Sequence, residues 1–310
     1  MTIPDDIAAL RRRVLTALAL ERTPGFNYSG NLLGTRFPLT TPAEVRATID
    51  AGPHLEDEFG EVDIGAVSFL ADISMGCTVR ANLAPSQRLA TVSLGLQFTG
   101  APLRGAIESR GEFECFLEGA SSRQGLCRTT LHASGRPVLY GHGAFMVMDP
   151  PPGRAMHPIV DAVHAGVAPL DEAGLAPHER AVLARADQAL AATHGPRGFL
   201  KHFWGMLPEA TPAGAHCRTA NGAHLGNRVG HMQGGLQIGM ALVTAAAALS
   251  AEWTVSSISA WFLSPGEGAE IAADARIEQR GRNVALVRTA ITGDGGRRVL
   301  EAMTTHLRRG

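Results

Sequence analysis

The residues best suited to chemistry stand in one turn, Asn227-Arg-Val-Gly230-His231-Met-Gln233-Gly234-Gly235. It sets two carboxamides and an imidazole among glycines and runs straight into an apolar stretch, residues 236–250. Length and alanine content predict a helix there rather than a strand. That helix is apolar nearly all round, so it should be buried on most sides. It is too short to cross a bilayer, which needs about 20 residues. Its first N–H groups have no partner within the helix and point at whatever lies in front. An open helix start facing amide side chains can hold a developing negative charge. A plain turn that lets a helix begin close to a sheet has the same spelling, and this turn alone does not separate the two.

The elements that position this turn occur twice. Residues 5–21 read as an amphipathic helix with Leu10, Val14 and Leu18 on one face, stopped by Thr23-Pro24-Gly25. A strand is predicted over residues 45–49, then the acidic turn Glu56-Asp-Glu58 leads to Gly60, Asp63 and a buried helix from Ile64 that carries Asp72. Four β-like runs follow, at 90–99, 107–117, 126–133 and 138–148, separated by Gly100-Ala-Pro102, the segment 119–125 and Ser134-Gly-Arg-Pro137. A Pro/Gly/Ala-rich linker begins at Asp149 and ends near Pro177. The order then restarts with a helix over 177–194, the glycine turn and its helix, and β-runs at 254–263, 270–279, 284–292 and 298–307.

Thr41-Pro-Ala43 aligns with Thr211-Pro-Ala213 at an offset of 211 − 41 = 170. The same offset holds through Gly52/Gly222, His54/His224, Gly60/Gly230, Gly65/Gly235 and Ala71/Ala241; later, Arg128-Thr129 matches Arg288-Thr289. The period is a whole domain, so this is a duplication and not a solenoid. The expected organisation is a domain over 1–150, a linker over 151–176 and a second domain over 177–310. Each is of the α+β class, an antiparallel sheet around a long buried helix near residues 64–80 and 234–250. The two sheets are expected to join edge to edge.

Composition narrows the function. The net charge is −1, which favours neither nucleic acid nor an anionic membrane as partner. The start, Met1-Thr-Ile-Pro-Asp-Asp, lacks the basic and apolar regions of a signal peptide, and the four cysteines form no CxxC pair; a cytoplasmic location is expected. The twelve histidines show no HExxH or comparable metal spacing, so neither metal nor organic cofactor is expected.

With a glycine pair opening the buried helix, this order resembles the hotdog fold. Asn227-x-x-Gly230-x-x-Gln233-Gly234-Gly235 is similar to the N-x-x-G-x-x-H-G-G signature of acyl-CoA thioesterases of the phenylacetate-degradation type, with Gln233 in the place of His. Phe69-Leu70-Ala71-Asp72 matches the acidic half of the signature. The resemblance covers most of the chain, as two tandem hotdogs, and implies hydrolysis of an acyl thioester at an interface between two hotdogs. At the signature's Asn, His and Asp positions the first half carries Asp57, Asp63 and Asp72, the second Asn227, Gln233 and Leu242. One complete site is therefore expected, combining Asn227, Gln233 and Gly234 with Asp72. Its counterpart, with Asp57, Asp63, Ile64 and Leu242, is degenerate.

In that expected site the Gly234 N–H holds the thioester oxygen, and Asn227 or Gln233 donates to the acyl or sulfur end. Asp72 activates water or attacks directly to give an anhydride. Thr91 matches a hydroxyl position that orients the water in some relatives. Gly235 and His231 are expected beside the substrate, although His231 reads equally well as a solvated turn residue. Arg280 and Arg282, in a hairpin turn, are candidates for CoA phosphates, although turn arginines commonly just face solvent. His54 and His224 recur in both halves and read as fold residues. The expected partner is acyl-CoA or a related thioester; a monomer and a homodimer of tandem units both stay open. So do non-catalytic binding of acyl-CoA and a hotdog hydratase or dehydratase, although no hydratase-type Asp/His loop precedes the helix.

Overall fold

The structure is a computed structural model that describes residues 3–23, 25, 27–150, 159–193 and 195–309. Residues 151–158 of the expected linker, Pro24 of the first stop signal and His194 at the end of the 177–194 helix lie outside the described residues.

The chain runs α1 (Ile3–Glu21), α2 (Tyr28–Leu33), β1 (Arg36–Thr40), β2 (Glu44–Ile49), α3 (Ile64–Arg80), β3 (Arg88–Phe98), β4 (Ile107–Glu118), β5 (Arg123–Ala133) and β6 (Arg136–Met148). It continues with α4 (Pro177–Ala192), α5 (Phe199–Trp204), β7 (Glu209–Thr211), β8 (Gly214–Ala220), α6 (Gly234–Ala247), β9 (Trp253–Phe262), β10 (Glu270–Arg280), β11 (Val284–Thr292) and β12 (Arg298–Arg308). All twelve strands form one sheet in the order β1-β2-β4-β5-β6-β3-β9-β12-β11-β10-β8-β7, and every pairing is antiparallel. β3 meets β9 at the middle, with Ser93 opposite Trp261 and Gln97 opposite Ser257. Outward from that junction the order on one side repeats the order on the other, each label raised by six.

α3 packs on β2–β6 and α6 on β7–β12, and the two helices pack on each other. They run in opposite directions: Gly235 faces Phe69 while Gly239 faces Gly65. A Cβ on Gly235 would lie 2.6 Å from the Phe69 Cα, and one on Gly239 2.7 Å from the Gly65 Cα. Both are closer than a methyl group can come to backbone, so glycine is what lets the helix starts touch. Asp63 caps α3 by accepting from the Gly65 N–H at 2.8 Å; Gln233 caps α6 by accepting from the Leu236 N–H at 2.9 Å. Before each cap the chain makes the same small bridge, Glu56 to Val62 and Gly226 to Met232.

Two points differ from the expected elements. α6 ends at Ala247, three residues early, because Ala248 to Ser250 turn toward β9. α2, α5, β1, β7 and β8 were not expected. The two helices have six residues each, under two turns, too short for a 3.6-residue period to show. β8 spells Gly-Ala-His-Cys-Arg-Thr-Ala and has one β-branched residue, so its alternation is carried by small side chains. α5 is apolar because it is an internal plug: Phe199, Phe203 and Trp204 are all buried, and the first two rings stack at 5.1 Å.

Candidate active site

The head of α6 faces a cavity of about 410 Å³ between it, the C-terminal half of α3, the start of β3 and the end of β6. Its apolar walls include Ile73, Leu89, Phe145, Met146 and Phe262. The size suits a small-molecule ligand.

Asp72 sits at one end. It lies in the middle of α3, where the neighbouring helix and sheet leave the residue 5% exposed. Three donors hold it. The Gln233 Nε2 donates to Oδ2 at 2.6 Å, the Gly235 N–H to Oδ2 at 3.1 Å, and the Thr91 hydroxyl to Oδ1 at 3.1 Å. Burial raises its pKa to about 6, and the Thr91, Gly235 and Gln233 hydrogen bonds, which favour the charged form, hold back part of the rise. A carboxylate near neutrality in a cavity wall suits proton transfer.

Gln233 is bound at both ends. Its Oε1 caps α6 while its Nε2 meets Asp72, so the amide orientation follows from its partners. It thus ties the Asp72 carboxylate to the head of α6. The Gly234 N–H is the first of α6 and has no acceptor among the described residues, and Gly234 lines the cavity. It is the free donor of the helix head, beside the carboxylate.

Asn227 also lines the cavity, but its Oδ1 accepts from the Val229 and His231 N–H groups at 2.9 and 3.1 Å. That oxygen shapes the turn, leaving the amide nitrogen for the cavity. His231 is on the cavity wall, and its Nε2 meets Glu267 at 2.8 Å. Gly235 is a correction: it is buried against Phe69, does not line the cavity, and serves by binding Asp72.

Arg280 and Arg282 are a second correction. Both are on the β10–β11 hairpin, and neither lines the cavity. Arg280 bonds to the Ser250 hydroxyl at 3.3 Å and lies over the Trp253 ring. The arginines that do line it are Arg80, Arg88 and Arg228. Two had a signal in the sequence. Arg80 is two turns beyond Asp72 on one helix face, and Arg228 follows Asn227 in the signature turn.

His54 and His224 lie outside the cavity, and burial pushes both down to about 3, so they are neutral. Among the described residues no group of three His, Cys, Asp or Glu could hold a metal ion, and no helix is long and apolar enough to cross a membrane.

Residues 225–307 match the model of the acyl-CoA thioesterase N-terminal domain family. No curated protein matches the chain. Among solved structures, it is similar to an oleoyl thioesterase (putative) from Lactobacillus plantarum, with TM-score 0.53 and 9% identity over 86% of this chain and 96% of that one. It is also similar to the tesB protein of Mycobacterium avium subs paratuberculosis, with TM-score 0.51 and 12% identity over 88% and 96%. A conserved protein of unknown function with hot dog fold from Alicyclobacillus acidocaldarius matches with TM-score 0.50 and 11% identity over 91% and 97%. The chain therefore has an α+β hotdog fold, and its residues 225–307 match the acyl-CoA thioesterase N-terminal domain.

Proposed function

We propose that this chain is an acyl-CoA thioesterase of two tandem hotdog domains, residues 1–150 and 177–310 joined by a linker over 151–176, with one working site shared between them. The signature of the phenylacetate-degradation type, split between Asp72 and the turn 227–235, is the subtype this reading adopts. One observation carries it: Asp72 from the first half is hydrogen-bonded by Gln233 and Gly235 of the second, next to the unbonded Gly234 N–H at the cavity wall.

In this reading the thioester carbonyl oxygen lies on the Gly234 N–H, where the peptide dipoles of α6 add to the attraction for developing charge. Asp72 takes a proton from a water as the water oxygen bonds to the carbonyl carbon. The tetrahedral intermediate collapses, the C–S bond breaks, and the proton passes from Asp72 to the departing thiolate. The three donors on Asp72 weaken it alike as base and as nucleophile, so direct attack to give an anhydride is the other route open to the same carboxylate. The Asn227 amide nitrogen is placed to donate to the substrate, and Thr91 keeps the acid in its rotamer.

Incubation with acyl-CoAs of several chain lengths, following free thiol, tests the reading. Thiol release that depends on Asp72 is the expected outcome. Tight binding without release would make the chain an acyl-CoA-binding protein, and loss of enoyl-CoA absorbance without thiol release would make it a hydratase.

A further inference from the structure

Beyond Asp72, α3 is buried except for a stripe along one face. Ile73, Gly76 and Arg80 are half-buried there, spaced three and four apart, and all three line the cavity. Gly76 is one turn past Asp72, so the two share that face. Against Gly76 stands Phe145 of β6. Phe145 pairs with Thr91 of β3, whose hydroxyl donates to Asp72. The space beside Gly76 is thus continuous with the space beside the carboxylate.

A glycine inside a helix lowers stability more than any residue except proline. α3 and α6 hold five. At Gly65, Gly234, Gly235 and Gly239 a Cβ would lie 3.0, 3.1, 2.6 and 2.7 Å from other protein atoms, closer than ordinary contact, so close packing accounts for these four. Gly76 differs. A Cβ there would come no closer than 3.4 Å, to the edge of the Phe145 ring, which is ordinary contact. Its backbone is ordinary α-helix, which any residue but proline adopts. At the 170-residue offset the other half carries Ala246 in its place. Alanine would therefore fit at Gly76 and strengthen α3; what a side chain there takes away is cavity. The walls on that side, Ile73 of α3, Leu89 of β3 and Phe145 of β6, are apolar. An amide-bearing chain would leave its N–H and C=O groups without partners among them, whereas an alkyl chain gains by leaving water.

We infer that Gly76 is a specificity position of the site: it leaves room on α3 for the alkyl chain of an unbranched, medium-length acyl group whose thioester lies at Asp72. One helical turn is about 5.4 Å, so an acetyl group stops short of Gly76 and an octanoyl group passes over it. The identity of the substrate as a thioester rests on the function proposed above; the room for a chain rests on the glycine.

The test is hydrolysis of acetyl- and octanoyl-CoA by Gly76→Ala and Gly76→Leu, with calorimetry of S-ethyl- and S-octyl-CoA, thioethers that cannot be hydrolysed. Gly76→Ala should melt about 2 °C higher than wild type, as for a helix glycine replaced by alanine in a chain of this size, while its kcat/KM for octanoyl-CoA falls. Gly76→Leu should lose about tenfold or more on octanoyl-CoA and in affinity for S-octyl-CoA, the effect of overfilling a packed space. Both variants should match wild type on acetyl-CoA and S-ethyl-CoA. A lower melting temperature in Gly76→Ala would show that packing against Phe145 requires the glycine, and would overturn the proposal. Equal losses on short and long substrates would overturn it too, by placing the thiol side of the substrate over Gly76. If wild type releases thiol from neither substrate, yet the variants lose affinity for S-octyl-CoA alone, the role of Gly76 stands and the thioesterase reading falls.

Discussion

The heads of α6 and α3 occupy equivalent places on either side of the β3–β9 junction, and their surroundings have opposite character. At α6 the cap is Gln233, the first helical residue Gly234, and the opposing acid Asp72. At α3 these positions hold Asp63, Ile64 and Leu242. The hydroxyl differs as well. The register slips between Thr91 and Ser93 on β3 and between Val255 and Ser257 on β9, so Val255 stands where Thr91 stands. Space differs most of all. Gly234 lines the cavity beside Asp72 and Thr91, whereas its equivalent Ile64 packs its side chain against the core and the next residue, Gly65, lies against the Trp204 ring. Trp204 is fully buried, so the head of α3 looks onto an aromatic plug. The two helix heads thus differ in character, one polar and accessible, the other packed and apolar. Where proton transfer is not required, filling the space adds buried apolar area, worth roughly 25 cal/mol per Å².

The largest test of that contrast is Asp72→Asn. Turnover should fall by about 10²-fold or more, as for other acid–base groups, with substrate affinity within a few-fold of wild type. Near-normal turnover would remove Asp72 from the chemistry. In wild type, kcat/KM should rise with pH through about 6 as Asp72 ionises.

The same substitution should stabilise the protein at high pH. Below the unfolded value of 3.8 the carboxyl is neutral in both states and its burial costs nothing extra. As pH rises toward the folded value of about 6, the unfolded chain loses its proton first, and the native state loses stability relative to it. The two values differ by about 2, which is roughly 3 kcal/mol at about 1.4 kcal/mol per pH unit. Denaturant unfolding should therefore show Asp72→Asn more stable than wild type at pH 8 and level with it near pH 3. Burial also raises Asp63 to about 6, so Asp63→Asn should show the same pH-dependent gain. It should do so with unchanged turnover; a loss of turnover in Asp63→Asn would mean that both helix heads are active.

A smaller effect is expected from Thr91→Val, which copies the residue of the other half. Losing one hydrogen bond to the acid should lower kcat about tenfold, in the range of a bond to a charged group. It should also raise the pH midpoint, since that bond favours the ionised form. A wild-type pH profile in this variant would show that Thr91 does not touch the working acid.

Gln233→Asp copies the other cap and sharpens the comparison further. It keeps an oxygen for the α6 cap but puts a second carboxylate beside Asp72. Like charges at that distance keep one carboxyl protonated to higher pH. The midpoint of kcat/KM should move up by about one pH unit with a smaller change in its plateau. An unmoved midpoint would separate Gln233 from the titration of Asp72.

Much of the architecture was legible from local pattern. The bounds of α3, the hairpin strands β3–β6 and β9–β12, and the glycine turns all show in residue type and spacing, because each is set by neighbours a few positions apart. The short α2 and α5 were not legible, since six buried residues lack the length for a period. The cavity arginines were misplaced for a related reason. A hairpin arginine and a helix-end arginine look alike in sequence, and only packing says that Arg280 lies over Trp253 while Arg80 lines the cavity.

The sequence by itself determined that two helices begin at glycine turns 170 residues apart, that one turn carries amides where the other carries acids, and that one helix carries a carboxylate where the other carries leucine. Those are properties of composition and spacing. Only the tertiary structure decided that Gln233 spans from the α6 cap to Asp72, that Trp204 packs against Gly65, and that Arg80 and Arg228 line one cavity. These contacts depend on how two antiparallel helices cross, and that crossing is set by backbone approach at Gly235 and Gly239, which no local period encodes.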